Sequence, residues 1–289
     1  MSGIALKWKA IKQITRMDKP IGTYLLLWPT YWALWIASDG IPNFILLVIF
    51  TLGVFVMRSA GCVINDYADR KVDGQVKRTE NRPLVVGTMS PEQAIMLFGF
   101  LIGVAFALVV NLSWFTVQLS VGALLLAASY PFMKRYTHLP QVALGAAFSW
   151  GMIMAFAEVQ GQVPLVAWLL FLANLLWTVA YDTMYAMVDR DDDIKIGVKS
   201  TAILFGQQDK RIIALLQVMV IGLLFTVGEQ LAFGWPYQLC IVIGAALFCY
   251  QQILIVKRER TACFNAFLNN HLFGLVIFVG ILIEYLSML

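Results

Sequence analysis

Charged residues are scarce in this chain. Of its 289 residues only 13% are Asp, Glu, Lys or Arg, whereas 60% are hydrophobic. An ordinary soluble domain carries about 25% charged residues, so the composition excludes a soluble globular protein. The four cysteines form no CxxC pair, and the sequence therefore indicates neither a disulfide framework nor a zinc site. The composition is instead that of an integral membrane protein.

Long apolar runs make up most of the chain. A spanning helix needs about 20 mainly apolar residues, and nine such runs can be counted. They start near Pro20, Pro42, Pro91, Trp114, Leu139, Pro164, Ile212, Trp235 and Phe264. We therefore predict an all-α integral membrane protein, a bundle of nine transmembrane helices that forms a single domain over residues 1–289.

Lysine and arginine are missing from every second connection between these runs. The connections near Asp39, Asn111, Glu158 and Glu229 contain none, and all 21 Lys and Arg residues fall on the opposite face. By the positive-inside rule the basic face is cytoplasmic. We therefore expect a multi-pass protein of the bacterial inner membrane, with a cytoplasmic N-terminus and a periplasmic C-terminus.

The residues before the first run have a basic amphipathic pattern. Ile4, Trp8, Ile11 and Thr15 follow one another at spacings of three and four, with lysines between them. This pattern predicts a short helix within residues 1–19 that lies on the cytoplasmic leaflet, in contact with membrane lipid. Because no clear small-x-small cleavage site follows, we interpret the segment as an uncleaved anchor.

Eight of the 17 acidic residues are concentrated in two short segments. They are Asp66, Asp69 and Asp73 in the first segment, and Asp182, Asp189, Asp191, Asp192 and Asp193 in the second. Both segments contain the string D-R-x-x-D at the end of an apolar run, four spans apart. This repetition predicts two related four-helix units plus a ninth helix, with both acidic segments at the same membrane face.

The spacing of these acidic residues suggests a metal site. Asn65, Asp69 and Asp73 follow at i, i+4 and i+8, so a continuing helix would place them in one stripe about 12 Å long. Asp189 and Asp193 repeat the i, i+4 spacing. Stacked carboxylates repel one another and meet the unfavourable end of the helix dipole. A bound Mg²⁺, which combines one or two carboxylates with water and phosphate oxygens, would offset that cost.

Cations accompany the two acidic segments, with Lys77 and Arg78 after the first and Lys199 after the second. The alternative is that all these residues are solvated loop charges, whose ion pairs contribute little. A diphosphate at the basic face joined to a hydrocarbon tail in the membrane suits both environments. We therefore predict a polyprenyl diphosphate substrate, with metal and cations stabilising the departing diphosphate. Tyr130 and Tyr185 are the candidates for shielding the allylic cation that remains.

An ordered set of motifs resembles one family over nearly the whole chain. The motifs are RMDKPIG, CVINDYADRKVDG, NRPL, YPFMKRYTHLPQ, YDTMYAMVDRDDDIKIG and GVKSTAILFG. Together they resemble the UbiA superfamily of intramembrane aromatic prenyltransferases, and most of all its members that prenylate 4-hydroxybenzoate in ubiquinone synthesis. The resemblance implies transfer of a polyprenyl group to the ring carbon ortho to the hydroxyl of 4-hydroxybenzoate. The VVG that follows NRPL departs from the family, which affects only the shape of that loop.

The resemblance also implies roles for individual residues. Asn65, Asp69, Asp73, Asp189 and Asp193 match the two aspartate-rich motifs that bind diphosphate through Mg²⁺, and the four aspartates are expected to be catalytic. Tyr130 begins a YxxxK element that ends at Lys134, and Lys134 and Arg135 resemble diphosphate ligands, with Arg135 expected in the catalytic set. Lys199 is a further diphosphate candidate, and Tyr185 is expected to contact substrate. The remaining aspartates, Asp66, Asp182, Asp191 and Asp192, are expected to orient ligands or to balance nearby arginines.

Arg16 matches a family position near the aromatic acceptor. We expect its planar guanidinium to bind the carboxylate of 4-hydroxybenzoate. The alternative interpretation of Arg16 is attraction to anionic lipid at the interface.

Two other classes of membrane protein fit the sequence less well. An ion-coupled transporter places carboxylates near the bilayer midplane on interrupted helices, whereas here they cluster at one face. A CDP-alcohol phosphotransferase requires a D-G-x2-A-R motif, which fails after Asp73 and Gly74. A sibling prenyltransferase with another aromatic acceptor remains open. No nucleic-acid partner is expected.

Overall fold

The chain is built from α-helices. The computed structural model describes residues 3–287 and, within them, the side chains of residues 7–287. In this described part there are no β-strands. The helices are α1 Gly3–Ile14, α2 Ile21–Ala37, α3 Phe44–Asp69, α4 Pro91–Val109, α5 Trp114–Tyr136, α6 Pro140–Gln160, α7 Leu165–Ile196, α8 Thr201–Phe205, α9 Asp209–Gln230, α10 Trp235–Leu254 and α11 Arg260–Ser287. The predicted all-α fold is confirmed.

Eight helices in the described range, α3 to α7 and α9 to α11, are long and apolar enough to cross a membrane. Helix α2 contains 17 residues, which is at the lower limit for a spanning helix. A ninth crossing by α2 therefore stays a prediction, as do the two related four-helix units and the single domain. The side of the membrane on which the termini lie also stays a prediction, and Leu289 lies outside the described residues.

The helices begin and end at residues that satisfy free backbone groups. Before α4, the Ser90 hydroxyl accepts a hydrogen bond from the Gln93 amide, and the Gln93 side chain accepts one from the Ser90 amide, which forms a capping box. Helices α6 and α7 end at Gly161 and Gly197, with φ of 68° and 71°, a conformation that glycine adopts without steric cost. Gly197 thus ends α7 just after the second acidic segment.

Helices α2, α6, α7 and α11 pack closely at the centre of the bundle. Trp32 of α2 stacks on Trp177 of α7 with ring centroids 5.5 Å apart, and Phe273 of α11 lies 5.0 Å from Trp177. All three side chains are fully buried. Helices α2 to α6 line a cavity next to this aromatic core, and α2 and α6 belong to both.

Helix α1 is docked against the bundle. Ala10 and Ile14 are buried in a small apolar cluster with Val63 of α3 and Ala94 of α4. Trp8, which the sequence pattern placed on the same face as Ile11 and Thr15, is 54% exposed. Helix α1 thus turns its Ala10 and Ile14 face towards α3 and α4 and leaves Trp8 exposed, and the contact of α1 with membrane lipid stays a prediction. The side chain of Ile4 lies outside the described residues.

The charged connections meet at one end of the bundle. The amide of Lys199 donates to the carbonyl of Lys134 at 3.3 Å, which joins the segment after α7 to the end of α5. Arg260 at the start of α11 pairs with Asp192 at 3.0 Å. These contacts bring the ends of α3, α5 and α7 and their following segments together, and the candidate site lies among them.

Candidate active site

The first acidic segment does not form one helical stripe. Helix α3 ends at Asp69, and Asp73 begins a separate 3-10 turn, Asp73–Gln75. The turn forms because the Val72 amide donates to the Asp69 carbonyl at 2.9 Å, so the chain changes direction after the last turn of α3. The prediction of a continuous stripe from Asn65 to Asp73 is wrong in this respect. The bend nevertheless keeps the three side chains around one small cavity.

Asp66 lies beneath this segment and is paired with two arginines. Arg16 Nη2 donates to its two carboxylate oxygens at 2.8 and 3.0 Å, and Arg82 Nη1 lies 3.0 Å from Oδ1. Asp66 is only 1% exposed. A buried carboxylate of this kind needs paired cations, so Asp66 connects the segment after α1 to the segment between α3 and α4.

Asp69 and Asp73 are also paired with cations. Lys134 Nζ of α5 lies 2.9 Å from Asp69, and Arg82 Nη1 lies 2.7 Å from Asp73. Burial raises the pKa of the Asp73 carboxyl above its ordinary value, and Arg82 opposes this shift while Asp69 adds to it. An additional cation would therefore stabilise the ionised form of Asp73.

The second acidic segment is helical, as its spacing predicted. Helix α7 continues to Ile196, so Asp189 and Asp193 lie one turn apart. Arg78 reaches across from the segment after α3 and donates to Asp189 through Nε and Nη2. Burial alone would lower the pKa of Arg78, but Tyr185, Asp189 and Asp73 raise it above its ordinary value. The guanidinium is therefore a permanent cation that links the two acidic segments.

A cavity of about 130 Å³ lies where the two acidic segments meet. Nine predicted site residues line it: Asn65, Asp69, Asp73, Tyr130, Lys134, Tyr185, Asp189, Asp193 and Lys199. The tertiary structure thus brings together residues that are more than a hundred positions apart in the chain.

Two predicted site residues lie outside this small cavity. Arg135 donates from Nη2 to the carbonyl of Ala68 at 2.7 Å and lines neither of the two cavities described here. It therefore holds the end of α3 to α5. Arg16 lines a larger neighbouring cavity, with its guanidinium engaged by Asp66.

The larger cavity has a volume of about 590 Å³ and mostly apolar walls. Its lining includes Phe50, Val54, Ile102, Phe106, Leu124 and Phe148. Six residues line both cavities and mark the junction between them: Asn65, Arg78, Arg82, Tyr130, Asp182 and Tyr185. The site is thus a polar chamber that joins an apolar one.

One arginine lies within the wall of the larger cavity. Arg58 is on α3, two turns before Asn65, and its Nη1 donates to the Cys62 sulfur at 2.6 Å. Its Nε is buried and has no hydrogen-bond partner. No carboxylate of the described residues forms an ion pair with it. A guanidinium with a buried, unpaired N–H is costly unless a ligand supplies the hydrogen bond and the opposite charge.

Four residues that line these cavities are not among the site residues predicted from the sequence. Arg78 was noted only as a following cation, Arg82 stood unassigned within NRPL, and Asp182 was assigned only a possible orienting role. Arg58 was assigned only to the charge count, although a charged residue within an apolar run is itself a signal of function.

The oxygen ligands at the small cavity fit a divalent cation. Among the described residues, no group of three or more acidic, histidine or cysteine side chains is close enough to hold a metal without help. Asp69, Asp189 and Asp73 are instead paired with Lys134, Arg78 and Arg82, respectively. However, Asn65 Oδ1 is buried without a hydrogen-bond partner. Mg²⁺ requires few protein ligands when phosphate oxygens complete its shell, so this ligand set fits a metal that arrives with a phosphate.

An all-helical membrane bundle in which a carboxylate-lined, cation-bearing chamber opens into an apolar cavity is the architecture of an intramembrane enzyme. The model of the UbiA prenyltransferase family matches residues 26–277. The chain belongs to this family.

Similar proteins of known name cover almost the whole chain. A 4-hydroxybenzoate octaprenyltransferase of Colwellia psychrerythraea is 75% identical over 98% of this chain and 99% of its own length. A 4-hydroxybenzoate octaprenyltransferase of Tolumonas auensis is 61% identical, with the same coverage of both chains.

Solved structures share the fold. A UbiA homolog from Aeropyrum pernix K1 aligns with a TM-score of 0.81 and 25% identity, covering 92% of this chain and 98% of that one. A UbiA homolog from Archaeoglobus fulgidus, bound to GPP and Mg²⁺, aligns with a TM-score of 0.71 and 16% identity, covering 94% and 99%.

Proposed function

We propose that this protein transfers an octaprenyl group from octaprenyl diphosphate to 4-hydroxybenzoate in ubiquinone synthesis. The observation that carries the proposal is the junction of the two cavities, with fixed cations and carboxylates on one side and apolar walls on the other. The names of relatives at 61% and 75% identity support both the acceptor and the length of the donor. These names support an octaprenyl chain for the polyprenyl donor that the sequence predicts.

The small cavity would bind the diphosphate of the donor. Lys134, Arg78 and Arg82 are the cations around it, and each is held by a carboxylate. Asn65, Asp69, Asp73, Asp189 and Asp193 would hold Mg²⁺, which when bound supplies positive charge to the departing diphosphate. Because the protein cations are fixed before the substrate arrives, they need little reorganisation when negative charge develops.

The larger cavity would hold the first part of the octaprenyl chain. A hydrocarbon tail gains little free energy by moving from lipid into apolar protein, because lipid is equally apolar. The cavity therefore contributes to the rate mainly by holding the allylic carbon beside the polar junction. Holding reactants in the correct geometry lowers the entropic part of the activation barrier.

The acceptor's carboxylate has two candidate ligands. Arg16 was expected from the sequence, but its guanidinium is already bound to both oxygens of Asp66. Arg58 lines the larger cavity and has no carboxylate partner among the described residues. We therefore assign the carboxylate of 4-hydroxybenzoate to Arg58 and keep Arg16 as the alternative. An acceptor without a carboxylate would leave Arg58 uncompensated, which disfavours the sibling acceptors.

The reaction breaks the bond between the allylic carbon and the diphosphate oxygen and forms a bond to the ring carbon ortho to the phenol hydroxyl. The ring proton then leaves, and Asp182, which lines both cavities, would accept it. Tyr130, also at the junction, would shield the allylic cation. Tyr185 is less suited to this role because its ring stacks on Phe267 at 4.5 Å and Arg78 lies 4.6 Å from its centroid.

We also propose that the polar end of the bundle faces the cytoplasm of the bacterial inner membrane. All Lys and Arg residues lie on one side of the predicted spans, which the positive-inside rule places inside. The water-soluble acceptor and the diphosphate product would then exchange with the cytoplasm.

The test is a direct assay of the transfer. Membranes containing the protein are incubated with Mg²⁺, octaprenyl diphosphate and labelled 4-hydroxybenzoate, and lipid-soluble label is identified as 3-octaprenyl-4-hydroxybenzoate. Membranes carrying Asp189→Asn are the matched control, because this change removes charge from the small cavity. Absence of the product from the unmodified protein, with the donor intact, would refute the proposal.

A further inference from the structure

The guanidinium of Arg58 occupies space that only a glycine leaves open. Gly22 lies in the first turn of α2, opposite Arg58 of α3. A Cβ added at Gly22 would lie 2.3 Å from both Nε and Nη2 of Arg58 and 2.6 Å from Cζ. Atoms that are not bonded to each other do not approach so closely. Any larger residue at Gly22 therefore forces the guanidinium to move.

A second residue holds the same group from its own helix. Cys62 lies one turn after Arg58 on α3, and its sulfur accepts the hydrogen bond from Nη1. Gly22, Arg58 and Cys62 all line the larger cavity. The guanidinium is thus in contact with the α2 backbone on one side and with a thiol on another, while Nε and Nη2 make no hydrogen bond to the described residues.

We propose that Gly22 is a positioning residue for the acceptor. It leaves the space in which Cys62 holds the Arg58 guanidinium, and this placement directs the free N–H groups of Arg58 towards the carboxylate of 4-hydroxybenzoate. The inference rests on the proposed function and on the assignment of Arg58 made there. Selectivity for an acceptor that carries a carboxylate therefore depends on the absence of a side chain at Gly22.

Gly22→Ala should leave the folding of the bundle intact while it moves the guanidinium of Arg58. Alanine is a better helix former than glycine, and the atoms displaced by Gly22→Ala are the far end of a flexible side chain. The bundle can therefore accept the change by moving the guanidinium alone. A loss of activity in this variant then reports the position of Arg58 rather than a failure to fold.

The first experiment measures steady-state kinetics of Gly22→Ala in membranes, with both substrates varied. We expect the KM for 4-hydroxybenzoate to rise at least about 10-fold, the scale of one charge-assisted hydrogen bond, with little change in the KM for octaprenyl diphosphate. The kcat/KM preference for 4-hydroxybenzoate over 4-hydroxybenzyl alcohol, which has no carboxylate, should fall by a similar factor. Gly103→Ala in α4 is the control, because no atom lies within 4 Å of its added Cβ.

The second experiment tests whether Gly22 acts through Arg58. Gly22→Ala should raise the acceptor KM little further when combined with Arg58→Ala, because the group that it displaces is then absent. Cys62→Ser, which keeps a hydrogen-bond acceptor, should retain more of the carboxylate preference than Cys62→Ala. A merely structural role for Gly22 predicts additive effects in the double variant.

The possible results distinguish a failure of the inference about Gly22 from a failure of the proposed function. If the unmodified protein does not prenylate 4-hydroxybenzoate, the proposed function is wrong. If Arg58→Ala has the same acceptor KM as the unmodified protein, the assignment of Arg58 is wrong. Either result overturns the inference about Gly22 as well. If Arg58→Ala is impaired but Gly22→Ala is unchanged, or is additive with it, the inference about Gly22 alone is overturned. An impaired, non-additive Gly22→Ala supports it.

Discussion

Alanine substitutions at Arg16 and Arg58 decide which arginine binds the acceptor's carboxylate. Arg16 Nη2 lies 2.8 and 3.0 Å from the oxygens of Asp66, so an acceptor could bind Arg16 only by displacing a buried carboxylate. Arg58 donates only to the Cys62 sulfur. The structure therefore predicts that the loss of Arg58 affects acceptor binding more strongly.

The magnitude follows from the hydrogen bonds that each change removes. A hydrogen bond to a charged group contributes about 1.5 to 3 kcal/mol, and each 1.4 kcal/mol is a factor of ten in affinity. Arg58→Ala should therefore raise the KM for 4-hydroxybenzoate about 10- to 150-fold. Arg16→Ala leaves Asp66 paired with Arg82 alone, so it should lower thermal stability while changing the acceptor KM less than about 3-fold.

The assay uses membranes with saturating Mg²⁺ and octaprenyl diphosphate and varied, labelled 4-hydroxybenzoate. Arg211→Ala is the matched control, because this exposed arginine of α9 contacts only the Gln208 side chain among the hydrogen bonds found in the described part. The reasoning is refuted if Arg16→Ala raises the acceptor KM tenfold or more while Arg58→Ala stays near the unmodified value. Arg16 would then be the ligand expected from the sequence, and Asp66 would be its partner only in the absence of substrate.

Three further predictions concern the metal, pH and topology. Asp69→Asn and Asp189→Asn should each nearly abolish turnover, as should EDTA, and the double variant should be far from additive. A single variant with near-normal turnover would exclude that carboxylate as a ligand of the metal. Because burial raises the pKa of Asp73, protons compete with Mg²⁺ for its carboxylate, so the Mg²⁺ concentration for half-maximal rate should fall as pH rises through that pKa. Asp73→Asn should weaken this dependence, and an unchanged dependence would count against Asp73 as a ligand. A reporter active only in the periplasm should work when inserted near Glu158 and fail after Lys134, whereas activity at both positions would overturn the predicted orientation.

The pairing of charges shows the limit of sequence reasoning. The i, i+4 spacing of Asp189 and Asp193 was sufficient to place them on one face of α7, because helical periodicity is a local property. The same argument failed at Asp73, where a turn after Asp69 ends the helix. Whether a charged segment continues a helix beyond the membrane depends on the hydrogen bonds of that turn, which spacing does not encode.

The sequence by itself determined the class of protein, the one-sided charge and nine residues of the small cavity. Composition and run length specify a membrane environment, and the acidic segments carry their own spacing. Only the tertiary structure decided that Arg78 pairs with Asp189, 111 positions away, and that Arg58 lies against Gly22. The physical reason is that sequence periodicity specifies the face of a helix on which a residue lies. Which faces meet, and at what distance, depends on how the whole bundle packs.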